Sequence, residues 1–430
     1  MKYSKENKDL FLFKLFSVNS VGVIIRSFLG LLSQKLIAIY LGPEGIAYIG
    51  NLRNALSVFS LGATAGVDQG VLKYQSELND NPEELKKLYS TSLAFILVGS
   101  VTISLLLLFG SSFWSQYLFK TPQFSYLFII LGFTIPFAAI YNLCFAIISG
   151  QSNYVKATLI SLITAGSVTI LVIFLVFFCQ LSGVLLAITL TPIIQLLVLF
   201  IFARKEIDLF RNLKIHFHRI ITNNLLVFIV MSVVAVVFSN LVDIELRSYL
   251  ITKLSVKEAG YWTSMLNLSN YYLSFMTGVY SLYVLPRYAK IKDIKTFLKE
   301  IMLIYKVILP IFVVLFIAIF LLRDFIIAIL YTRDFLPMGV LFKWQLLGDM
   351  VKITSVILAY QLIAQKLWKL YILTEIISVL TLYVFGTYFI DRMGVQGITY
   401  AHFLRYIVYL IVVIVSILFA NKNKIKNEVI

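Results

Sequence analysis

The feature that most constrains this chain is the recurrence of apolar runs about 20 residues long, the length an α-helix needs to cross a hydrocarbon core of about 30 Å. Only helices and closed barrels can span a bilayer, because the backbone polar groups find no water there. About twelve such runs occur, which predicts an all-α polytopic membrane protein. They lie near 12–41, 45–72, 86–110, 123–149, 153–179, 183–203, 221–250, 257–286, 298–320, 335–364, 367–390 and 395–420.

Composition and rare residues exclude several other classes. Only 13% of the residues are charged and 60% are hydrophobic, whereas soluble domains average about 25% charged residues. No polar block between the runs is long enough for a folded soluble domain. Cys144 and Cys179 lie inside spans and are expected to be small core residues rather than a disulfide or a metal pair. His402 is a lone histidine in a span, expected to be packed. No metal and no cofactor are expected.

The loop charges predict an orientation. Most loop lysines and arginines fall on the connections that share a side with both termini. The positive-inside rule therefore places both termini in the cytoplasm and supports an even number of spans. Basic loops on a membrane protein indicate orientation and anionic headgroups rather than nucleic acid. No removable signal peptide is expected at the N-terminus. The cations of the opposite side are Lys120, Lys253, Lys257, Arg323, Arg333 and Arg392.

An internal repeat relates the two halves of the chain. A shift of 214 residues aligns 71–74 with 285–288, Gly150 with Ala364 and Gly183 with Gly397. The shift carries the first span onto the seventh, so both halves have the same topology. Such parallel repeats place substrate sites between the halves. We expect an N-terminal six-helix lobe over 1–205, a basic cytoplasmic linker over 206–220 and a C-terminal six-helix lobe over 221–430.

Three cations lie in the first two spans. Arg26, Lys35 and Arg53 flank the turn at 42–45, and neither span contains an acidic residue before Asp68. A cation at the bilayer centre costs about 2.5 to 3.5 kcal/mol on the insertion scale unless it faces water, a partner or an anion. The three residues therefore indicate an anionic ligand.

Helical spacing places polar residues of two repeat-related spans on stripes. In the second span the stripe contains Arg53 and Asp68, and in the eighth it contains Asn267 and Asn270. The remaining members are Ser57, Ser60 and Thr64 in the second span and Thr263, Ser274, Thr277 and Ser281 in the eighth. Close helix packing by small residues is the alternative explanation for the hydroxyls, but it does not explain Arg53.

The second half carries its own charges. Gln345, Asp349 and Lys352 share a face of the tenth span, with Lys343 off it. An internal ion pair of Asp349 with Lys352 is one reading of that face, and a functional site is the other. Glu375 and Arg405 lie in the last two spans. Arg247 lies near a helix end and is expected to snorkel. Since the cations outnumber the acids, a hydrated, net-positive chamber is expected.

Five blocks of the chain resemble the Wzx-type polysaccharide repeat-unit flippases, especially the branch that serves O-antigen and enterobacterial common antigen. The resemblance covers nearly the whole chain, and the block around Asp349 is its most specific part. Arg26 departs from the family, which has a lysine nearby, but keeps the charge. The blocks are LGPEGIA at 41–47, GNLR at 50–53, LRDF at 322–325, WQLLGD at 344–349 and YILTE at 371–375.

The resemblance implies membership of the multidrug, oligosaccharidyl-lipid and polysaccharide exporter superfamily. It implies two pseudo-symmetric six-helix lobes around a central cavity, as in MATE transporters, and export of undecaprenyl-diphosphate-linked oligosaccharide by alternating access at the bacterial inner membrane. A polymerase and a chain-length regulator would be partners. Asp68, Asp349 and Glu375 are candidates for ion coupling. The candidates for binding the diphosphate and the sugars are Arg26, Lys35, Arg53, Asn54, Asn267, Asn270, Lys343, Gln345, Lys352 and Arg405.

Two rival functions remain. A multidrug antiporter of the same superfamily would share the fold. Cavities that bind cationic drugs are typically lined by acidic residues, however, whereas the chamber expected here is net positive. An O-antigen polymerase or a membrane glycosyltransferase would need a sizeable external loop with catalytic residues, and the external connections here are short. A non-enzymatic transporter is therefore predicted.

Overall fold

The computed structural model describes residues 5–210, 214–288, 291 and 293–428. Within these ranges the chain is helical with short connections, and no strand occurs among them. Residues 211–213 of the predicted linker lie outside the described residues. So do Lys2, Lys290 and Lys292, which contribute to the predicted charge asymmetry. The prediction of an all-α polytopic membrane protein is confirmed.

Nine helical stretches in the described part of the chain are long and apolar enough to cross a membrane. One of them, Val21–Thr64, joins two predicted spans, and its backbone breaks at Gly42, where φ is 60°. A second, Tyr154–Thr189, breaks at Gln180 and is followed by the shorter apolar helix Thr191–Phe202. Dividing these two stretches at their breaks adds two spans, and the helix Val256–Val279 adds a third. The predicted number of about twelve spans is then reached, and each of them is helical.

By its internal packing the chain divides into two compact units. Unit 1 comprises Met1–Leu41 and Tyr48–Leu241, and unit 2 comprises Gly42–Ala47 and Val242–Ile430. The short segment after the α1 break thus groups with the second half. Unit 1 contains most of α1 (Lys5–Thr64), then α2 (Asp68–Glu77), α3 (Pro82–Phe109), α4 (Ser111–Phe119), α5 (Ser125–Gly150), α6 (Tyr154–Thr189), α7 (Thr191–Phe202), α8 (Arg204–Asp208) and α9 (Arg219–Ser232).

Unit 2 is built around helices that bury a shared apolar core. Ala47, Leu246, Trp262 and Ile398 are among the residues of that core. The Gly260 Cα faces the Pro43 carbonyl so closely that a Cβ there would lie 2.0 Å from its oxygen, which explains a glycine at that contact. The helices are α10 (Ser239–Lys253), α11 (Val256–Val279), α12 (Leu285–Tyr288), α13 (Ile294–Leu321), α14 (Arg323–Leu330), α15 (Phe342–Ala364), α16 (Trp368–Met393) and α17 (Val395–Glu428).

The units differ in extent from the predicted lobes. Residues 206–210 and 214–241, which include the described part of the linker and the first part of the predicted seventh span, pack within unit 1. Residues 214–218 of the predicted linker are hydrogen-bonded to α3. Ser90 Oγ donates to the Lys214 carbonyl at 2.5 Å, and His218 N–H donates to Thr91 Oγ1 at 3.2 Å. The assignment of six helices to each lobe stays a prediction.

Left-handed backbone positions support the internal repeat. Ser152 and Lys366 have φ of 59° and 60°, and Gln180 and Gly394 have φ of 46° and 62°. Both pairs are 214 residues apart. Residues with a side chain rarely adopt this conformation, so agreement of two pairs on the offset found in the sequence favours a common ancestry of the halves.

The predicted second and eighth spans are both interrupted, at positions that correspond under the repeat. α1 ends at Thr64, and Ala65 and Gly66 take φ of 49° and 69° before α2 begins. At the equivalent position of unit 2 the helix widens into a π-helix at Tyr280–Val284. Helix interruptions of this kind occur frequently at functional sites.

Several helices begin at a polar N-cap, which gives their boundaries a local cause. Asn81 accepts from Glu84 N–H ahead of α3, with Pro82 following it. Asp293 accepts from Thr296 N–H at 2.8 Å ahead of α13. This backbone donor holds the pKa of Asp293 below its usual value.

Candidate functional site

The carboxylate of Asp349 lies fully buried inside unit 2 and accepts hydrogen bonds from three helices. From α11, Ser269 Oγ and Tyr272 OH donate to Oδ2 at 2.6 and 2.5 Å. From α15, the Gln345 amide nitrogen lies 3.4 and 3.3 Å from the two carboxylate oxygens. From α17, His402 Nε2 lies 2.9 Å from Oδ1. A buried ionised carboxylate costs several kcal/mol unless it is bonded in this way.

The imidazole of His402 reaches Asp349 because Gly348 leaves room for it. A Cβ on Gly348 would lie 2.4 Å from His402 Cδ2. His402 was predicted to be packed, and its burial confirms this; its bond to Asp349 was not predicted. Its place is set by the contact of α15 with α17, which no local sequence pattern reveals. Lys352 does not form the ion pair considered for Asp349; its Nζ lies 5.6 Å from the centre of the Tyr406 ring.

A second carboxylate, Glu375 on α16, lies within hydrogen-bond reach of α17. Tyr409 OH donates to Glu375 Oε1 at 2.7 Å. Arg405 Nε donates to Ser378 Oγ at 2.7 Å, and its guanidinium also lies over the Tyr406 ring. α17 thus presents a polar stripe to α15 and α16.

We call the charged residues of this region the unit-2 cluster. The cluster combines two carboxylates with two permanent cations and one histidine, so its charges offset one another when the histidine is neutral. Its members are Asp349, Lys352, Glu375, His402 and Arg405.

The cations of unit 1 have different surroundings. Arg26 is exposed, and its Nη1 donates to Ser161 Oγ on α6 at 2.9 Å. Gly22, one turn earlier, packs closely on Thr158 of the same helix. The Tyr141 hydroxyl lies near the guanidinium and the Thr164 side chain. The neighbours of Arg26 are therefore hydroxyl groups.

The remaining predicted residues of unit 1 continue along α1. Lys35, Arg53 and Asn54 are half-buried. The Asn54 amide lies 3.5 Å from the Asn240 carbonyl, and Asn142 Nδ2 donates to Ser60 Oγ at 3.1 Å. We call Arg26, Lys35, Arg53 and the hydroxyl and amide groups beside them the unit-1 polar face. Arg26 and Lys35 are nine residues apart, about 900° of helical rotation, so this surface includes both sides of α1.

Asp68 is the acid of unit 1 and opens α2 directly after the break. Its Oδ2 accepts from Gln69 at 3.3 Å. Its Oδ1 is buried and has no hydrogen-bond partner among the described residues. The helix N-terminus stabilises a negative charge at this position.

Three further predicted residues lie on α11 and α15 of unit 2. Asn267 is half-buried and Asn270 is exposed on α11. Lys343 is exposed, with Nζ 4.9 Å from the centre of the Trp344 ring. The predicted site residues therefore fall into two sets, one in each unit.

The prediction that Arg247 snorkels is wrong. Its side chain is 1% exposed, its Nε donates to Thr263 Oγ1 at 2.8 Å, and it lies over the Trp262 ring. Distance from the helix end pointed to the surface, but the core of unit 2 closes around the residue.

Comparison with known proteins gives a consistent picture. A family model described as "Polysaccharide biosynthesis protein" matches residues 36–340. The lipid III flippase of Escherichia coli K12 is 28% identical over 393 residues, which are 91% of this chain and 94% of that protein.

Solved structures share the fold. An inward-facing multidrug resistance MATE family transporter of the MOP superfamily has a TM-score of 0.70 at 15% identity, covering 94% of this chain and 98% of that one. The lipid II flippase MurJ, in an inward closed conformation, has a TM-score of 0.68 at 17% identity, covering 93% and 87%. The predicted MATE-like fold is confirmed.

Proposed function

We propose that this chain, which belongs to the polysaccharide biosynthesis protein family, is a transporter that flips lipid-linked oligosaccharide across the bacterial inner membrane. The observation that carries the proposal is the likeness to a lipid III flippase over 91% of the chain. The protein is a multi-pass membrane protein and not an enzyme. A lipid-linked sugar unit moves from the cytoplasmic to the external leaflet by alternating access.

The unit-1 polar face supplies the chemistry for a diphosphate headgroup. Guanidinium groups grip phosphate oxygens bidentately, and ammonium groups hold them as point charges. Arg26 has hydroxyl neighbours, so an incoming phosphate competes with neutral groups rather than with a carboxylate. Lys35 and Arg53 add positive charge along the same helix. Hydroxyl and amide groups beside them suit the sugars.

Unit 2 supplies the regulating charges. Lys352 and Arg405 share their region with Asp349 and Glu375, so the positive charge offered to an anion depends on the state of the acids. Ion coupling through Asp68, Asp349 or Glu375 follows from this arrangement as part of the proposal. Asn267, Asn270, Lys343 and Gln345 complete the proposed substrate-binding set.

The cellular setting completes the proposal. Both termini face the cytoplasm, as the loop charges indicate. The substrate carries an undecaprenyl-diphosphate anchor, and the exported units serve an O-antigen, an enterobacterial common antigen or a similar surface polysaccharide. A polymerase and a chain-length regulator of the same pathway are the protein partners.

Reconstituted flipping tests the proposal. Wild type, Arg53→Ala and Lys35→Ala proteins are placed in liposomes with a fluorescent undecaprenyl-diphosphate oligosaccharide, and the fraction that reaches the opposite leaflet is measured. Wild type is expected to flip, and both variants are expected to be slower, since each loses one phosphate contact worth about 1.5–3 kcal/mol. Lys86→Ala, which removes an exposed cation outside the polar face, serves as the matched control.

Two results would contradict the proposal in different ways. Wild-type rates in both variants would remove these cations from the mechanism. Failure of the wild type to flip the lipid, together with gradient-driven transport of a cationic drug, would favour the multidrug antiporter.

A further inference from the structure

The side chains of Asp349 and His402 meet inside unit 2 from α15 and α17, with 2.9 Å between Oδ1 and Nε2. We propose that they form one proton-binding site, in which His402 positions the carboxylate and holds the proton. Its use in coupling rests on the proposed transport function, whereas the proton site itself can be tested without substrate.

The geometry fixes where the hydrogens lie. An ionised carboxylate only accepts hydrogen bonds, so the hydrogen of the neutral ring must sit on Nε2 and point at Oδ1. The Gln345 amide nitrogen lies 3.3 Å from His402 Nε2. Because both nitrogens then carry hydrogen, the amide donates to the Asp349 carboxylate instead. Nδ1 of His402 is left as the basic nitrogen.

The pair can take up one proton without losing its hydrogen bond. A proton from hydronium adds to Nδ1, which makes the ring cationic and releases water. The hydrogen on Nε2 either stays or shifts along the bond to Oδ1, and the contact persists in both forms. The charge of the pair changes from −1 to 0.

In the part of the chain that the structure describes, the amide of Gln345 leaves one acceptor beside Asp349 and His402 without a donor. Its Oε1 is buried and has no hydrogen-bond partner among the described residues, which costs about 1–3 kcal/mol. If the amide rotates, Oε1 turns toward Asp349 and His402. That arrangement is satisfied only when a hydrogen is available there, from a protonated carboxyl or from the ring.

Charges on the neighbouring helices decide what the proton does. With a neutral ring, the two carboxylates of the unit-2 cluster offset its two permanent cations, and with the proton bound the cluster gains one positive charge. It then attracts an anion more strongly. On the 3-10 helix Arg333–Leu341, which directly precedes α15, Arg333 and Asp334 are exposed. The titratable and charged groups that face the pair are Tyr272 of α11, Lys352 of α15, and Arg405 and Tyr406 of α17. On the other two helices, Tyr305 of α13 donates to the Thr354 carbonyl and Glu375 of α16 accepts from Tyr409.

The donors around Asp349 favour a proton over a metal ion. Ca²⁺ and Mg²⁺ take oxygen ligands, and a sodium ion has the same preference as a hard cation. Two of the four groups bonded to this carboxylate present nitrogen: the Gln345 amide and the His402 ring. A metal cation would have to displace them beside Lys352.

Nitrogen-15 spectroscopy of a single-histidine protein tests the inference. The chain has 3 histidines, so His216→Gln with His218→Gln leaves His402 as the only labelled ring. In nanodiscs without substrate, the ring is expected to pass from a neutral form with hydrogen on Nε2 to the doubly protonated form as the pH is lowered. In the same background, Asp349→Asn is expected to move this transition to lower pH, because a nearby carboxylate favours the charged ring.

Several results would overturn the inference. One is a ring that stays neutral at every pH at which circular dichroism shows the protein folded. Since Asp349→Asn alters the network, this titration of the intact site remains decisive even if that variant does not fold. A transition that is identical in Asp349→Asn, or one that sodium chloride moves and choline chloride does not, would overturn it as well. A protein in which His216 is the remaining histidine is the control, and its titration is expected to be the same with and without Asp349→Asn.

The outcome for transport is separate. If His402 titrates as expected and flipping in liposomes shows no dependence on a proton gradient, the coupling fails and the proton site stands. If flipping depends on the gradient and His402→Gln preserves that dependence in full, the inference fails and the proposed function stands.

Discussion

The two units place charge in opposite ways. In unit 1, Arg26 is exposed and hydrogen-bonded to a serine. In unit 2, Asp349 is fully buried under four hydrogen-bond donors, and Glu375 is bonded to Tyr409 near Arg405. A cation among hydroxyls can exchange them for a ligand at little cost, while a buried carboxylate among donors holds its own helices together. The difference leads us to expect that unit 1 binds the substrate and that unit 2 takes up the coupling proton, although the two halves are related by the repeat.

The largest effect is expected from Asp349→Ala. Removing the acceptor leaves donors of α11, α15 and α17 buried without a partner, and each buried donor left unsatisfied costs about 1–3 kcal/mol. We expect a markedly lower unfolding temperature in detergent, measured by circular dichroism. Asp324→Ala, at an exposed carboxylate, is the matched control and should leave the unfolding temperature unchanged. An equal and small decrease of the unfolding temperature in both variants would contradict the stabilising role of the buried carboxylate in unit 2.

The next effect concerns the ligand rather than the fold. Arg26→Ala removes an exposed guanidinium that donates to the Ser161 hydroxyl, so stability should hold while substrate binding weakens by about 1.5–3 kcal/mol. Binding of an undecaprenyl-diphosphate sugar to the protein in nanodiscs would measure it. Arg26→Lys keeps the charge but loses the bidentate grip, and partial binding is expected. Loss of folding instead of binding in Arg26→Ala would assign the residue a structural role.

Gly348→Ala probes the contact that brings His402 to Asp349. The added Cβ would lie 2.4 Å from His402 Cδ2, and overpacking of this kind costs about 1–3 kcal/mol. Gly166→Ala is the matched control, because a Cβ there meets nothing within 4 Å and alanine is the better helix former by about 1 kcal/mol. A lower unfolding temperature is expected for the first variant and an equal or higher one for the second. The reverse order would show that α15 and α17 do not depend on this close approach.

Sequence reasoning reached much of this picture for identifiable reasons. Apolar runs fix the spans because a bilayer dictates their length, and the spacing of Gln345 and Asp349 on one helix revealed their shared face. The bond of His402 to Asp349 and the burial of Arg247 were not predicted from the sequence. His402 joins Asp349 only through the packing of α15 on α17, across 53 positions. Arg247 is enclosed by a core to which distant segments contribute, and distance along one helix carries no information about that.

The smallest effect compares one hydroxyl in each unit. Tyr409→Phe removes a donor from Glu375, and Ser161→Ala removes the acceptor of Arg26. A hydrogen bond to a charged group inside the protein is worth about 1.5–3 kcal/mol, whereas water replaces the lost partner of an exposed guanidinium. Tyr409→Phe is therefore expected to lower the unfolding temperature, and Ser161→Ala to leave it almost unchanged. Because both changes delete a single oxygen, equal effects on thermal unfolding would mean that the two units hold their charges in the same way.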